Sequence, residues 1–363
     1  MLTLAAATLS LSMFSLLALR KVALVHGLVD RPTRRKAHRG DVPFIGGISL
    51  FITIFGMNII EPQLIPFQTE YLYCGFLLVL IGTIDDKLDI SASSRICILI
   101  GISLWLVLYQ GIALNHLGNL LGQGHLEIGR GNILLTTIAI IGCITAFNMV
   151  DGIDGLLGGL ASTTFLGLGY LFYLSGETKL FYFCLMFILA MLPYILCNLE
   201  LIPKKSFKVF MGDSGSFFIG FTIIWLLMES SQNISPETQK YTLQPVTALW
   251  LIAIPLMDMA MVMLRRVRKK QSPFKPDRMH LHHICQRLGL SSRSTLIFIM
   301  FLALLHMAIG IWAQLNNISE YIMFALFLCS FSCYVLVMNY VWKITALVRK
   351  YTKTRCKRIN GHP

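Results

Sequence analysis

The chain has 363 residues, 55% of them hydrophobic and 13% charged, with a mean hydropathy of +0.68. That is too apolar for a soluble domain, and the fold expected is an all-α, polytopic integral membrane protein. The net charge of +13 does not point to nucleic acid in so apolar a chain; no nucleic-acid partner is expected, and the bases serve topology, anionic headgroups or phosphates.

Met1 to Leu19 carries no charge and the first bases are Arg20 and Lys21, which predicts an uncleaved first span with its N-terminus outside. Runs able to cross about 30 Å of hydrocarbon lie near 3–19, 43–60, 70–84, 95–113, 132–149, 155–174, 180–198, 214–229, 245–264, 294–313 and 321–342. Eleven spans put the two ends on opposite faces. Of the 31 Lys and Arg, 28 fall in the segments 20–42, 85–95, 199–213 and 265–293 and the tail 343–363, so that face and the C-terminus are expected to be cytoplasmic. The whole chain, 1–363, reads as one membrane domain ending in a basic cytoplasmic tail at 343–363. Its nine cysteines form no CxxC pair and read as small core residues.

The acids divide as well. Nine of ten Asp lie in or beside the basic segments, and the tenth, Asp258, sits inside an apolar run; of eight Glu only Glu200 joins them. The positive-inside rule concerns Lys and Arg and leaves a one-sided Asp set unexplained. Short carboxylates gathered at one membrane face suit a divalent metal and a polar substrate.

Five patches carry this signal. RPTRRKAHRGDVPFIGG supplies Lys36, His38 and Arg39 ahead of Gly46 and Gly47, glycines that signify either backbone beside a ligand or tight helix packing. TIDDKLDI, 83–90, is a DDxxD pattern; on a helix Asp85 and Asp86 converge with Asp89 on one face, where magnesium bridging phosphate oxygens is the natural guest and a hydrated acid cluster the plain alternative. FNMVDGIDGL, 147–156, sets Asp151 and Asp154 three residues apart with Asn148 nearby, costly at a membrane boundary unless a cation or polar ligand meets them. KVFMGDSGS, 208–216, puts Asp213 at the start of a span, where free helix N–H groups attract anions, with Phe210 to stack a base and Gly212 and Gly215 for close backbone approach. An N-cap would account for Asp213 alone. Finally RRVRKKQSPFKPDRMHLHH, 265–283, holds Arg265 and three histidines; His280 and His283 share a helical face, His282 points elsewhere, and the basic run fits a diphosphate better than zinc, which lacks an HExxH or Cys partner. Arg265 lies seven residues after Asp258 on roughly the same face, so a pair between them is expected.

In this order on an eleven-span chain, the motifs RPTRRKAHRG, PFIGG, IDDKLDIS, AFNMVDGIDGLLGGL, KVFMGDSGS, ALWLIAIPLMDM and HLHH resemble the polyprenyl-phosphate N-acetylhexosamine-1-phosphate transferase superfamily, glycosyltransferase family 4. Within it the chain looks most like the bacterial branch using UDP-N-acetylglucosamine and undecaprenyl phosphate. HLHH and VPFIGG, in place of three consecutive histidines and TPTMGG, argue against the muramyl-pentapeptide branch. The resemblance implies transfer of a sugar 1-phosphate to the lipid phosphate with release of UMP, at the cytoplasmic face of a bacterial inner membrane, as the first membrane step of O-antigen, lipopolysaccharide or enterobacterial common antigen type glycans; a homodimer is compatible with it. It implies Mg2+, or Mn2+, on Asp213 and Asp86; uracil stacked on Phe210 and edged by Asp154; and Asp85 with Asp86 holding metal or lipid phosphate and assisting deprotonation. His280, His282 and His283 would grip the diphosphate, and Arg265 and Lys36 would contact substrate. Two rivals remain beside it: an intramembrane prenyltransferase, which needs neither HLHH nor Phe210, and a secondary transporter, which would show repeat halves.

Overall fold

The computed structural model describes residues 2–31, 40–202, 207–234, 241–274 and 279–359, with side chains to 341. It is nearly all helix. A long first helix, α1 (Leu2–His26), leads into a two-residue antiparallel pair, β1 (Val29–Asp30) with β2 (Val42–Pro43), which closes the first basic loop. Then follow α2 (Gly46–Ile60), α3 (Gln68–Leu88), α4 (Ala92–Gln110), α5 (Asn132–Met149), α6 (Leu156–Leu174), α7 (Thr178–Asn198), α8 (Gly212–Gln232), α9 (Pro245–Leu251), α10 (Ala253–Arg268), α11 (Leu281–Arg287), α12 (Ser292–Leu315) and α13 (Glu320–Ile359). The basic tail continues α13 as helix to Ile359, and its side chains lie outside the described residues.

Eight described helices are long and apolar enough to cross a membrane: α1, α4 to α8, α12 and the first part of α13. Two of the eleven expected spans, α2 and α3, fall short of that test. With 15 residues, α2 reaches only about 22 Å at 1.5 Å per residue, and α3 carries Glu70, Asp85, Asp86 and Lys87. The expected single span 245–264 is not continuous: α9 and α10 meet at Ile252 with an 82° bend. Pro255, without an N–H, cannot donate the helical bond to the Leu251 carbonyl that would bridge this break, and its ring crowds that carbonyl.

The centre of the bundle is α8, buried along almost all of its length and packed by α3, α5, α2 and α6. Glycine makes that packing possible. A Cβ on Gly47 would overlap the backbone of Gly215 and Ser214, one on Gly82 the backbone of Ser214, and one on Gly220 would stand 2.7 Å from Ile144 Cα. The Gly46–Gly47 pair and Gly215 therefore serve helix packing rather than ligand approach. The N-terminus of α2 is knitted to the segment before α8, Gly46 N–H donating to Phe210 O (3.0 Å) and Gly47 N–H to Met211 O (3.1 Å). The eight described cysteines are free; Cys74, Cys143, Cys184, Cys197 and Cys285 are buried, whereas Cys97, Cys329 and Cys333 are exposed on the bundle's outer face.

Candidate active site

Three carboxylates meet where α3 abuts the start of α8. Asp86 Oδ1 accepts from Asp213 N–H (2.8 Å) and Oδ2 from Ser214 N–H (3.4 Å), so the anion at this helix N-terminus is the neighbouring helix's own aspartate. Asp213 is correspondingly no N-cap: α8 begins at Gly212, whose φ of +75° only glycine adopts easily and which leaves room for the Asp86 carboxylate. Asp85 is buried, its Oδ1 accepting from Ile90 N–H (2.8 Å). The expected convergence on Asp89 does not occur, because α3 stops at Leu88 and Asp89 turns outward as a left-handed cap with φ +51°.

One cation that sequence reasoning counted only as a loop base holds this cluster together. Arg95, in the first turn of α4, reaches Asp85 Oδ2 (3.2 Å) and Asp213 Oδ2 (3.6 Å). From the other side Asn148, in the last turn of α5, donates to Asp213 Oδ1 (2.6 Å) and to Ser216 Oγ (2.9 Å). Among the described residues, Arg95 is the guanidinium that meets this group of three carboxyls, through Asp85 and Asp213. Among the described residues no three His, Cys, Asp or Glu side chains converge as a metal cage. Magnesium, which takes one or two carboxylates and completes its octahedron with phosphate and water, fits the Asp86 and Asp213 pair.

Beside the carboxylates lies a cavity of about 290 Å³ lined by Arg95, Asn148, Asp151, Arg266, His280, His282 and His283, with apolar walls from Ile96, Leu99 and Phe217. The histidine cluster differs from the sequence reading. His280 precedes α11 as its N-cap residue, and its ring lies nearly parallel to that of His282 (5.8 Å, 7°); His282 in turn sits 4.2 Å from His283. His282 points into the group, its ring filling the space a Cβ on Gly152 would need, and its Nε2 is buried without a hydrogen-bond partner. Burial pushes its pKa down to about 3, so the ring is neutral until an anion meets it.

Arg265 does not line this cavity. It sits in a separate recess with Val335 and Asn339, while Arg266, about 100° further round α10, is buried, donates to Pro273 O and faces the histidines. Nor does Arg265 pair with Asp258, whose carboxylate is taken by His280, Leu281 and Tyr334. Lys36, with His38 and Arg39, lies outside the described residues.

The third part holds Asp154, Lys208 and Phe210. Lys208 Nζ lies 2.6 Å from Asp154 Oδ2, 3.3 Å from Glu200 Oε1 and 5.7 Å above the Phe210 ring, which also rests on Phe44 (6.0 Å). Asn198 positions this side: it accepts from Gly155 N–H (2.6 Å) and donates to Val209 O (2.9 Å), tying the loop of Asp151 and Asp154 to the segment before α8. An Asn at the end of an apolar run was the only sequence signal for it.

Asp151 lies deep among the protein's walls, yet its side chain opens to the cavity. Desolvation first, then the charges of Asp213 and Asp154, raise its carboxyl from 3.8 to about 7; exposure to cavity water limits the size of that shift, not its direction. A carboxyl easier to protonate in the folded than in the unfolded state stabilises the fold at low pH, and that contribution is lost as pH rises from the unfolded value through the folded one. In ligand-free protein, Asp151→Asn is therefore expected to shrink the fall in Tm between pH 5 and pH 8, measured by thermal unfolding in detergent; an unchanged difference would show that Asp151 does not titrate there.

The family model described as Glycosyl transferase family 4 matches residues 69–231, from α3 to the end of α8. The chain is 41% identical over 366 residues to the undecaprenyl-phosphate alpha-N-acetylglucosaminyl 1-phosphate transferase of Escherichia coli (strain K12), covering 99% of this chain and 98% of that protein. It is 43% identical over 350 residues (96% and 93%) to the transferase of that name from Yersinia pestis, and 41% identical over 345 residues (95% and 96%) to the one from Haemophilus influenzae.

Proposed function

The chain belongs to glycosyl transferase family 4, and we propose that it transfers N-acetylglucosamine 1-phosphate from UDP-N-acetylglucosamine to undecaprenyl phosphate, giving the diphosphate-linked lipid sugar and UMP. The observation that carries this reading is the meeting of dispersed motifs: Asp86 on the Asp213 amide, Asn148 on the Asp213 carboxylate, and His282 over Gly152. Charge of both signs around one cavity, with an aromatic and a Lys–Asp pair beside it, is what two phosphates and a nucleotide require.

In this reading Asp213 and Asp86 hold Mg2+, with Mn2+ the other admissible ion. The metal, when bound, would neutralise phosphate charge so that two anions can meet. The protein's own groups do the rest. Arg266, His280, His282 and His283 grip the diphosphate, Phe210 and Asp154 take the uracil, and Asn148 and Arg95 hold Asp213 in place while Asp85 anchors Arg95. Much of a phosphate monoester is already dianionic at neutral pH, so Asp85, Asp86 or Asp151 need supply only modest assistance as base; alignment and charge stabilisation are the main contributions.

We further infer that α2, α3 and the bent α9–α10 unit complete eleven crossings, with the N-terminus outside and the site on the cytoplasmic face of a bacterial inner membrane. What supports it is the one-sided set of bases together with the Asp cluster. Purified protein is expected to release UMP only when undecaprenyl phosphate, UDP-N-acetylglucosamine and a divalent cation are all present, and to stop in excess chelator. A panel of UDP-sugars with mass spectrometry of the lipid product tests the sugar; activity untouched by chelator would overturn the metal assignment.

A further inference from the structure

We propose that Asp258 is a positioning residue of this site: from inside α10 it fixes the ring of His280 and the start of α11, so that the three histidines face the cavity as one set. The inference rests on the phosphotransfer reading above and names a residue which that reading does not use.

Asp258 is 2% exposed. Its Oδ1 accepts from Leu281 N–H (2.9 Å) and from Tyr334 O–H (2.8 Å), and its Oδ2 stands 2.8 Å from His280 Nδ1. A carboxylate with both oxygens engaged in this way acts as an acceptor only, so the proton between it and the ring belongs on Nδ1. His280 can then address an anion in the cavity only through Nε2, and the ring cannot turn over without losing the buried contact. The bond to Leu281 N–H fixes the main chain between His280 and His282 at the same time. Because the two rings lie within 7° of parallel, the orientation imposed on the first is passed to the second. Tyr334 joins the last long helix to this anchor. A carboxylate that merely stapled α10, α11 and α13 together would need no imidazole among its partners; the placing of His280 on it argues for control of tautomer and aim, as with the outer partners of ligating and catalytic histidines.

The test is a mutant cycle on the full-length purified protein, reading UMP release from UDP-N-acetylglucosamine and undecaprenyl phosphate. Wild-type release comes first; its absence would overturn the phosphotransfer reading itself. Given that activity, Asp258→Asn keeps an acceptor for Leu281 and Tyr334 but can present an amide N–H to His280, and it is expected to lower kcat about 10- to 100-fold with little change in KM. In a His280→Asn background the same substitution is expected to cost less than about twofold more. Wild-type kcat in Asp258→Asn, or an equal fold loss in both backgrounds, would overturn the proposal and leave a staple only. Should Asp258→Asn not yield monodisperse protein, Asp258→Glu carries the same cycle, and its loss too must vanish beside His280→Asn.

Discussion

Asp213→Asn is expected to lower UMP release about 100- to 1,000-fold, the scale of losing one fixed charge from a site that stabilises transferring phosphates, while the protein still folds. Asparagine has the shape of the aspartate and can accept the same hydrogen bond from Asn148 Nδ2 that Asp213 Oδ1 accepts at 2.6 Å. The backbone bond from Asp213 N–H to Asp86 at 2.8 Å does not involve the side chain at all. What the substitution removes is the negative charge facing Arg95. Turnover in detergent, beside size-exclusion behaviour, checks both halves; near-normal rates would reduce Asp213 to a residue of the helix terminus.

Gly47→Ala is expected to destabilise the bundle by about 3 kcal/mol, the upper part of the range for forcing an extra methyl into a packed interior. The added carbon would meet the backbone of Gly215 and Ser214, which cannot swing aside as a side chain can. Since the collision is at the first turn of α8, the Asp86 to Asp213 contact shifts with it, and activity falls alongside stability. Thermal unfolding should show a Tm lower by about 4 °C. Gly101→Ala, in α4 with nothing within 4 Å of an added carbon, is the control, with a Tm equal to or above wild type because alanine is the better helix former. Equal shifts in the two would contradict the close approach of α2 to α8.

Much of this arrangement was legible in the residues. Apolar runs mark helices because lipid-facing and core-facing surfaces are both apolar, and each of the eleven runs coincides with helix. The break at Ile252 is not legible because Pro255 sits in a run as apolar as any other, and composition does not reveal an angle. At the site, the motif order located the Asp and His groups, but not which residue faces which. Arg265 and Arg266 are indistinguishable by type, and helical phase decides that Arg266 meets the cavity. Asp89 belongs to the same DDxxD pattern as Asp85 and Asp86, and the helix ends one residue too early for it to join them. The roles of Arg95 and Asn198 are not legible in the sequence because each acts across the fold, on partners more than 40 residues away for Asn198 with Gly155 and further for Arg95 with Asp213.

The burial of α8 has a bearing on how the chain is made. The helices packed most extensively on it, α2, α3, α5 and α6, all precede it in sequence, so they are synthesised before the strut they surround, and domains mature from the N-terminal side as translation proceeds. A nascent chain halted before residue 212 would hold Asp86 with no amide to receive it. The candidate site thus comes into being late and abruptly, when a ribosome has delivered both the middle helix and, some fifty residues later, the histidines.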